Sequence, residues 1–103
     1  MTTKIAVSPV VEILSKAREL LERGGWCQGT EYNYRGQRCL VGAVYYVAPT
    51  YLDARVAVAA LQRETDGAWP AFWNDKPGRT KEEVFELIDR VIAKQLGVPR
   101  LTF

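Results

Sequence analysis

The sequence contains no histidine and only two cysteines, Cys27 and Cys39. Histidine is the usual base beside a cysteine nucleophile and a common ligand of zinc, so its absence weakens the case for both kinds of site. The two cysteines are too few for a disulfide scaffold, and they lack the short ligand pairs of a zinc finger. The sequence therefore predicts no metal site and no cofactor.

Long apolar runs and a strong excess of one charge are also missing. The longest uncharged stretch, Cys39 to Leu52, is far shorter than the roughly 20 residues that span a bilayer. The 14 basic and 12 acidic residues give a net charge of +2, whereas nucleic-acid-binding proteins usually carry a larger and more clustered excess. Residues Met1 to Val7 do not resemble a signal peptide. We therefore expect a cytoplasmic protein with reduced thiols and no membrane partner.

What the chain does contain is a globular composition and clear helical patterns. Hydrophobic residues make up 48% and charged residues 25% of its 103 residues, which predicts a single domain over 1–103. The first helix is predicted to begin at Ser8 and Pro9, because Ser8 can accept a hydrogen bond from a first-turn amide and Pro9 suits the first helical position. Gly24 and Gly25 are predicted to end it.

Three more helices are predicted along the chain. Residues 38–48 are apolar almost all round, as expected for a buried helix. Thr50 is predicted to cap a third helix. Thr80, with Glu83 three residues later, is predicted to cap a fourth helix, and residues 65–78 before it are predicted to be an irregular loop. The apolar side of the third helix is predicted to contain Leu52, Val56, Ala57, Ala59 and Ala60.

The fold class is therefore mainly α, a compact bundle of about four helices. Residues 27–37 allow one exception, because Thr30, Tyr32 and Tyr34 follow a period of two between turn-forming residues. A short β-hairpin over 27–37 is the alternative to an irregular connection.

Three motifs follow one another along the chain. They are Gly25-Trp26-Cys27-Gln28-Gly29, Cys39-Leu40-Val41-Gly42-Ala43 and Trp73-Asn74-Asp75-Lys76-Pro77-Gly78-Arg79-Thr80. Together they resemble a small family of uncharacterised proteins from actinobacteria and their phages. The resemblance implies a bacterial or phage setting. No activity is assigned to that family, so no catalytic or binding residue is carried over.

Two residues carry candidate chemistry, Cys39 and Asp75. Cys39 lies near the predicted start of the second helix, where the helix dipole lowers the pKa of a thiol; the alternative is a packing role. Asp75 could act as a general base or bind a polar ligand; the alternative is that Asn74 and Asp75 bond to nearby backbone amides in a turn. We favour the packing and turn interpretations and assign no catalytic residue.

Three basic residues, Lys76, Arg79 and Lys81, surround the same turn. With aromatic residues nearby they could neutralise and stack on a nucleic acid. Acidic residues interrupt them, however, so the local charge is mixed and a solvated loop is the favoured interpretation.

Aromatic residues supply the remaining candidate surface. Tryptophan and tyrosine are enriched in the parts of interfaces that contribute most to binding. Tyr45 and Tyr46 are adjacent on a helix, so both cannot point inward, and Trp69 lies in the predicted loop. We therefore predict an exposed aromatic surface that includes Trp69 and one of the two tyrosines.

The leading hypothesis is a small accessory or regulatory binding protein of a phage or actinobacterium that contacts a host protein. It depends on the resemblance, on the lack of a catalytic set and on the surplus of aromatic residues. The alternatives are a small enzyme that uses Asp75 or Cys39, and a nucleic-acid-binding module. A homodimer through an exposed helix face is also compatible with the sequence.

Overall fold

The computed structural model describes residues 8–97. Within them the chain forms five helices: α1 Pro9–Gly24, α2 Leu40–Val47, α3 Tyr51–Gln62, α4 Pro70–Asp75 and α5 Lys81–Leu96. The predicted mainly α fold class is confirmed. The short helix α4 corrects the prediction of an irregular loop over 65–78; Pro70 lies in its first turn, where a missing N–H leaves no bond unmade. In the described part of the chain, no helix combines the length and apolarity needed to cross a bilayer.

Helix α1 lies at the centre and packs against α2, α3 and α5. Its apolar stripe joins buried side chains of the other three long helices in one core cluster. The α1 members of this cluster are Val10, Ile13, Leu14, Ala17 and Leu21. Full burial of an aliphatic side chain contributes roughly 1.5–3 kcal/mol, so this shared cluster is the main source of stability.

Side-chain caps begin two of the long helices as predicted. Thr50 Oγ1 accepts from the Asp53 amide at 3.1 Å. Thr80 and Glu83 form the reciprocal capping box, with the Thr80 amide donating to Glu83 Oε1 at 2.9 Å. Helix α1 begins after Ser8 with Pro9 in its first turn, as predicted, but the predicted side-chain cap was wrong: the Ser8 hydroxyl donates to Gln95 Oε1 on α5 at 3.1 Å and accepts nothing from the first turn of α1.

The buried side of α3 differs from the predicted one. Its buried residues are Ala54, Ala57, Val58, Ala60 and Leu61. Leu52 and Val56 are instead 69% and 55% exposed, and Ala59 also faces solvent. Because the helix carries apolar residues on both sides, their spacing could not identify the side that packs against α1.

No hairpin forms within residues 27–37, all of which the structure describes. The segment makes only isolated bridges, from Arg38 to Trp26 and to Tyr32. A hairpin needs a continuous ladder between neighbouring strands, but the Arg38 backbone bonds to Gly25 and Cys27 instead. The connection is therefore irregular.

Gly42, in the first turn of α2, lies against the same segment. A Cβ atom at this position would lie 2.3 Å from the Glu31 carbonyl oxygen. That oxygen accepts a hydrogen bond from the Cys39 amide at 3.2 Å, so it cannot easily move away. Glycine is therefore required for this close approach of backbone to backbone.

The first prediction concerns Gly42→Ala. Alanine is the better helix former by about 1 kcal/mol, yet we expect the free energy of unfolding to fall by about 1–3 kcal/mol because the added methyl group overlaps the Glu31 carbonyl. Urea titration followed by circular dichroism measures this change. The control is Gly24→Ala, where the nearest atom would lie at 3.4 Å and no loss is expected. A stabilised Gly42→Ala variant would contradict the close approach.

Candidate functional site

The end of α4 meets the segment that follows α1 at one buried side chain, Asn74. Its Oδ1 accepts from Trp26 Nε1 at 2.6 Å and from the Leu40 amide at 3.0 Å. Its Nδ2 donates to the Cys27 carbonyl at 3.2 Å and to Asp75 Oδ1 at 2.9 Å. Because the two groups that face Oδ1 are donors only, the amide has one satisfactory orientation. All of its hydrogen-bonding atoms are used.

This network corrects the predicted turn role of Asn74. Its partners Leu40, Cys27 and Trp26 lie 34, 47 and 48 residues away along the chain. Gln28 adds to the same junction, because its Nε2 donates to the carbonyls of Asn74 and Lys76, each at 2.9 Å. The three sequence motifs therefore meet in space.

Asp75 lies at the exposed edge of this junction. Its Oδ1 accepts from the Gly29 amide at 2.9 Å as well as from Asn74. The carboxylate thus holds a backbone amide, as the turn interpretation predicted, but the amide belongs to a distant segment. A catalytic role for Asp75 would have to use its second oxygen.

The two thiols are free and buried. Burial raises the pKa of the Cys27 thiol, and the nearby Cys39 and Asp75 add to the rise. Burial also raises the pKa of Cys39, although the Gly42 and Val41 amides oppose it. The predicted lowering by the helix dipole is therefore outweighed by desolvation. Across residues 8–97 no three Cys, Asp or Glu side chains lie close enough together to hold a metal ion.

The three basic residues of the turn differ in their surroundings. The Arg79 guanidinium lies 3.8 Å from the centre of a Trp73 ring and donates to the Trp73 carbonyl at 2.9 Å and to Glu83 Oε2 at 3.1 Å. Lys76 and Lys81 are exposed. Arg79 therefore joins α4 to α5 and is not free to bind a phosphate.

An open groove of about 790 Å³ lies beside this junction. Five carboxylates and three cations line it: Glu64, Asp66, Asp75, Glu83 and Glu86, with Lys76, Arg79 and Arg90. Glu64 pairs with Lys94 at 2.7 Å and with Arg90 at 3.3 Å, and these cations, Lys94 first, hold the pKa of Glu64 below its ordinary value. The net negative lining disfavours a phosphate backbone.

A second cavity brings Tyr45 and Trp69 together. It measures about 150 Å³ and lies between α2, α3 and the residue before α4; its lining is Tyr45, Arg55, Val58, Ala59, Gln62 and Trp69. Trp69 is 44% exposed, and Tyr45 is half-buried with its ring centre 5.6 Å from that of Tyr51. Two residues predicted from their aromatic character thus share one cavity.

Tyr46 lies apart from this cavity and is 64% exposed. Its ring contacts the Arg38 guanidinium at 3.9 Å, and the same guanidinium lies 4.3 Å from the Tyr32 ring. The adjacent tyrosines point in different directions, as residues one apart on a helix must. The ring of Tyr46, a residue of α2, therefore packs against the segment before that helix.

The outer side of α3 continues the cavity and was missed as a surface. We call the α3 surface the group of exposed or half-buried residues Tyr45, Tyr51, Leu52, Arg55, Val56, Ala59, Arg63 and Trp69. The sequence did contain a signal for this surface: α3 carries more apolar residues than one buried side of a helix requires. Only the position of α1 shows which of them are left exposed.

Asn74→Leu tests the buried network. The substitution keeps a similar volume but leaves the Trp26 and Leu40 donors and the Cys27 carbonyl without their partner, and each unsatisfied buried group costs about 1–3 kcal/mol. We expect the free energy of unfolding, measured by urea titration, to fall by at least about 3 kcal/mol. Asp75→Asn is the control, because it keeps an oxygen for the Gly29 amide. If Asn74→Leu lowered the free energy of unfolding no more than Asp75→Asn does, the proposed role of Asn74 would be contradicted.

Alkylation of the thiols by iodoacetamide tests their raised pKa values. Only the thiolate reacts, so both cysteines should react more slowly in the folded protein than in urea. The alkylation rate of the folded protein should still be rising with pH above 9.0, the ordinary pKa of a cysteine thiol. Mass spectrometry of each cysteine peptide gives the two rates. Fast reaction of folded Cys39 at neutral pH would show an activated thiol instead.

Comparison with known proteins adds a family but no activity. No curated protein and no solved structure matches the chain. A family of unknown function, DUF6197, matches residues 6–94, a range that includes both the Asn74 network and the α3 surface. The chain therefore belongs to the DUF6197 family of unknown function.

Proposed function

We propose that this protein is a small binding module that acts through protein–protein interaction and contacts its partner with the α3 surface. The observation that carries the proposal is the cavity where Tyr45, Arg55 and Trp69 meet, next to exposed Leu52 and Val56. Tryptophan, tyrosine and arginine are the residues most often found where interfaces bind most strongly. Contiguous exposed apolar side chains also mark interaction sites more than scattered ones do.

The proposed partner is a protein of a bacterial host, in the cytoplasm. The resemblance to proteins of actinobacteria and their phages supports this setting and an accessory or regulatory role. Tyr46, stacked on Arg38, offers a second exposed aromatic that a large partner could reach.

Catalysis is less well supported than binding. The Cys39 Sγ accepts from the Gly42 amide at 3.2 Å and is buried, so the thiol caps α2 and is not presented to a substrate. Asp75 uses Oδ1 to hold Gly29. Each candidate catalytic group therefore has a structural task that accounts for it.

Binding to nucleic acid is also less well supported. Arg79 is held by Trp73 and Glu83, which leaves Lys76 and Lys81 of the predicted basic cluster exposed. Lys76 lines a groove in which carboxylates outnumber cations. A single strand would need a positively charged track beside its stacking platforms.

Trp69→Ala tests the proposed surface. Removing an aromatic anchor from an interface typically costs at least about 2 kcal/mol, which corresponds to a loss of more than about ten-fold in affinity. The tagged protein is incubated with lysate of the organism that encodes it, and the retained proteins are quantified by mass spectrometry. We expect the specifically retained protein to fall at least about ten-fold for Trp69→Ala.

Phe72→Ala is the matched control. Phe72 is an aromatic residue of the same short helix region and is 76% exposed, but it lines the acidic groove and not the α3 surface. We expect it to retain the partner as the unaltered chain does. Equal loss for both variants, or no specifically retained protein at all, would contradict the proposal. Circular dichroism shows whether each variant keeps its helical fold.

A further inference from the structure

The exposed apolar residues of α3 form a stripe that suits another helix. Leu52, Val56 and Ala59 follow spacings of four and three, which align side chains along one side of a helix. All three face solvent. The small Ala59 lies at the end of the stripe nearest to Trp69 and lets a second helix approach closely.

The cavity beside this stripe is the size of one side chain. Its volume of about 150 Å³ is below the roughly 300–1,000 Å³ of pockets that enclose a small-molecule ligand. Tyr45 and Trp69 supply the two aromatic side chains of its lining. The cavity therefore fits a single apolar side chain that projects from a partner lying on α3.

Positive charge flanks the same stripe. Arg55 and Arg63 are both exposed, and neither has a carboxylate within ion-pair distance among residues 8–97. The acidic residue of α3, Asp53, is bonded to Thr50 through Oδ2 at 2.8 Å. The α3 surface thus presents apolar side chains beside two arginines whose charge the described chain leaves unneutralised.

Building on the proposed function, we propose that the occupant of the α3 surface is an amphipathic helix with acidic flanks, supplied by the partner protein. Its apolar residues would pack on Leu52, Val56 and Ala59, with one of them in the cavity beside Trp69. Its carboxylates would pair with Arg55 and Arg63. Helix-in-groove recognition of this kind reads side chains at helical spacing.

A second copy of the chain fits this surface less well. Two copies joined through α3 would bring the same arginines to the interface, and no residue of the α3 surface is a carboxylate that could meet them. Like charges brought together at an interface cost several kcal/mol. Charge complementarity therefore favours a different, acidic chain.

Site-specific photo-crosslinking tests this inference. Benzoylphenylalanine replaces Val56 in one variant and Trp69 in another, and a third variant carries it at Ser15, an exposed residue of α1. Each variant is irradiated in lysate of the organism that encodes the chain, and the crosslinked peptide is sequenced by mass spectrometry. We expect Val56 and Trp69, but not Ser15, to capture one protein through a segment with apolar residues at helical spacing and more carboxylates than cations.

Other outcomes separate this inference from the proposed function. Capture of a neutral or basic segment, or capture from Trp69 but not from Val56, would overturn the acidic helix while leaving a protein partner in place. Crosslinking to a second copy of the chain, or no crosslink from either position, would overturn both.

Charge reversal supplies an independent readout. The double substitution Arg55→Glu with Arg63→Glu should lower the crosslink yield from Val56 at least about ten-fold, because the partner's carboxylates would then face carboxylates. Arg23→Glu, at an exposed position on α1, is the matched control and should not change the yield. An unchanged yield in the double variant would overturn the acidic character of the partner.

Discussion

The amide of Asn74 is the interaction on which the arrangement of the irregular segment, α2 and α4 depends. Residues 25–39 form no helix and no continuous strand, so the buried backbone groups that they do not pair among themselves need partners from elsewhere in the chain. The Asn74 side chain is such a partner for the Cys27 carbonyl, and it also binds the indole N–H of Trp26 and the first amide of α2. Because each of these groups would be costly to bury alone, the segment, α2 and α4 hold one arrangement.

The same interaction positions the candidate surface. Helix α4 has six residues, too few to be stable in isolation, and it packs against α2 and α3. With Asn74 anchored at one end of α4, Trp69 at the other end lies beside Tyr45 and Arg55. Stability and the proposed binding are thereby linked through one short helix, although the residues that serve them differ.

Helix α3 divides its apolar residues between these two tasks. Ala57, Val58 and Leu61 pack in the core, whereas Leu52 and Val56 remain in water. Single exposed apolar residues are common, but these are contiguous with an aromatic cavity and with two unneutralised arginines. That combination is what distinguishes the α3 surface from the rest of the described surface.

The sequence by itself determined the long helices and most of their ends, because apolar spacing and the Thr50 and Thr80 caps act over a few neighbouring residues. It also identified Trp69 and Tyr45 as candidates, from aromatic character alone. Only the tertiary structure decided that Asn74 bonds across the fold, that Arg79 is engaged by Trp73, and that Leu52 and Val56 face solvent. These outcomes depend on which distant backbone groups lack partners and on where α1 lies, and local patterns do not contain that information.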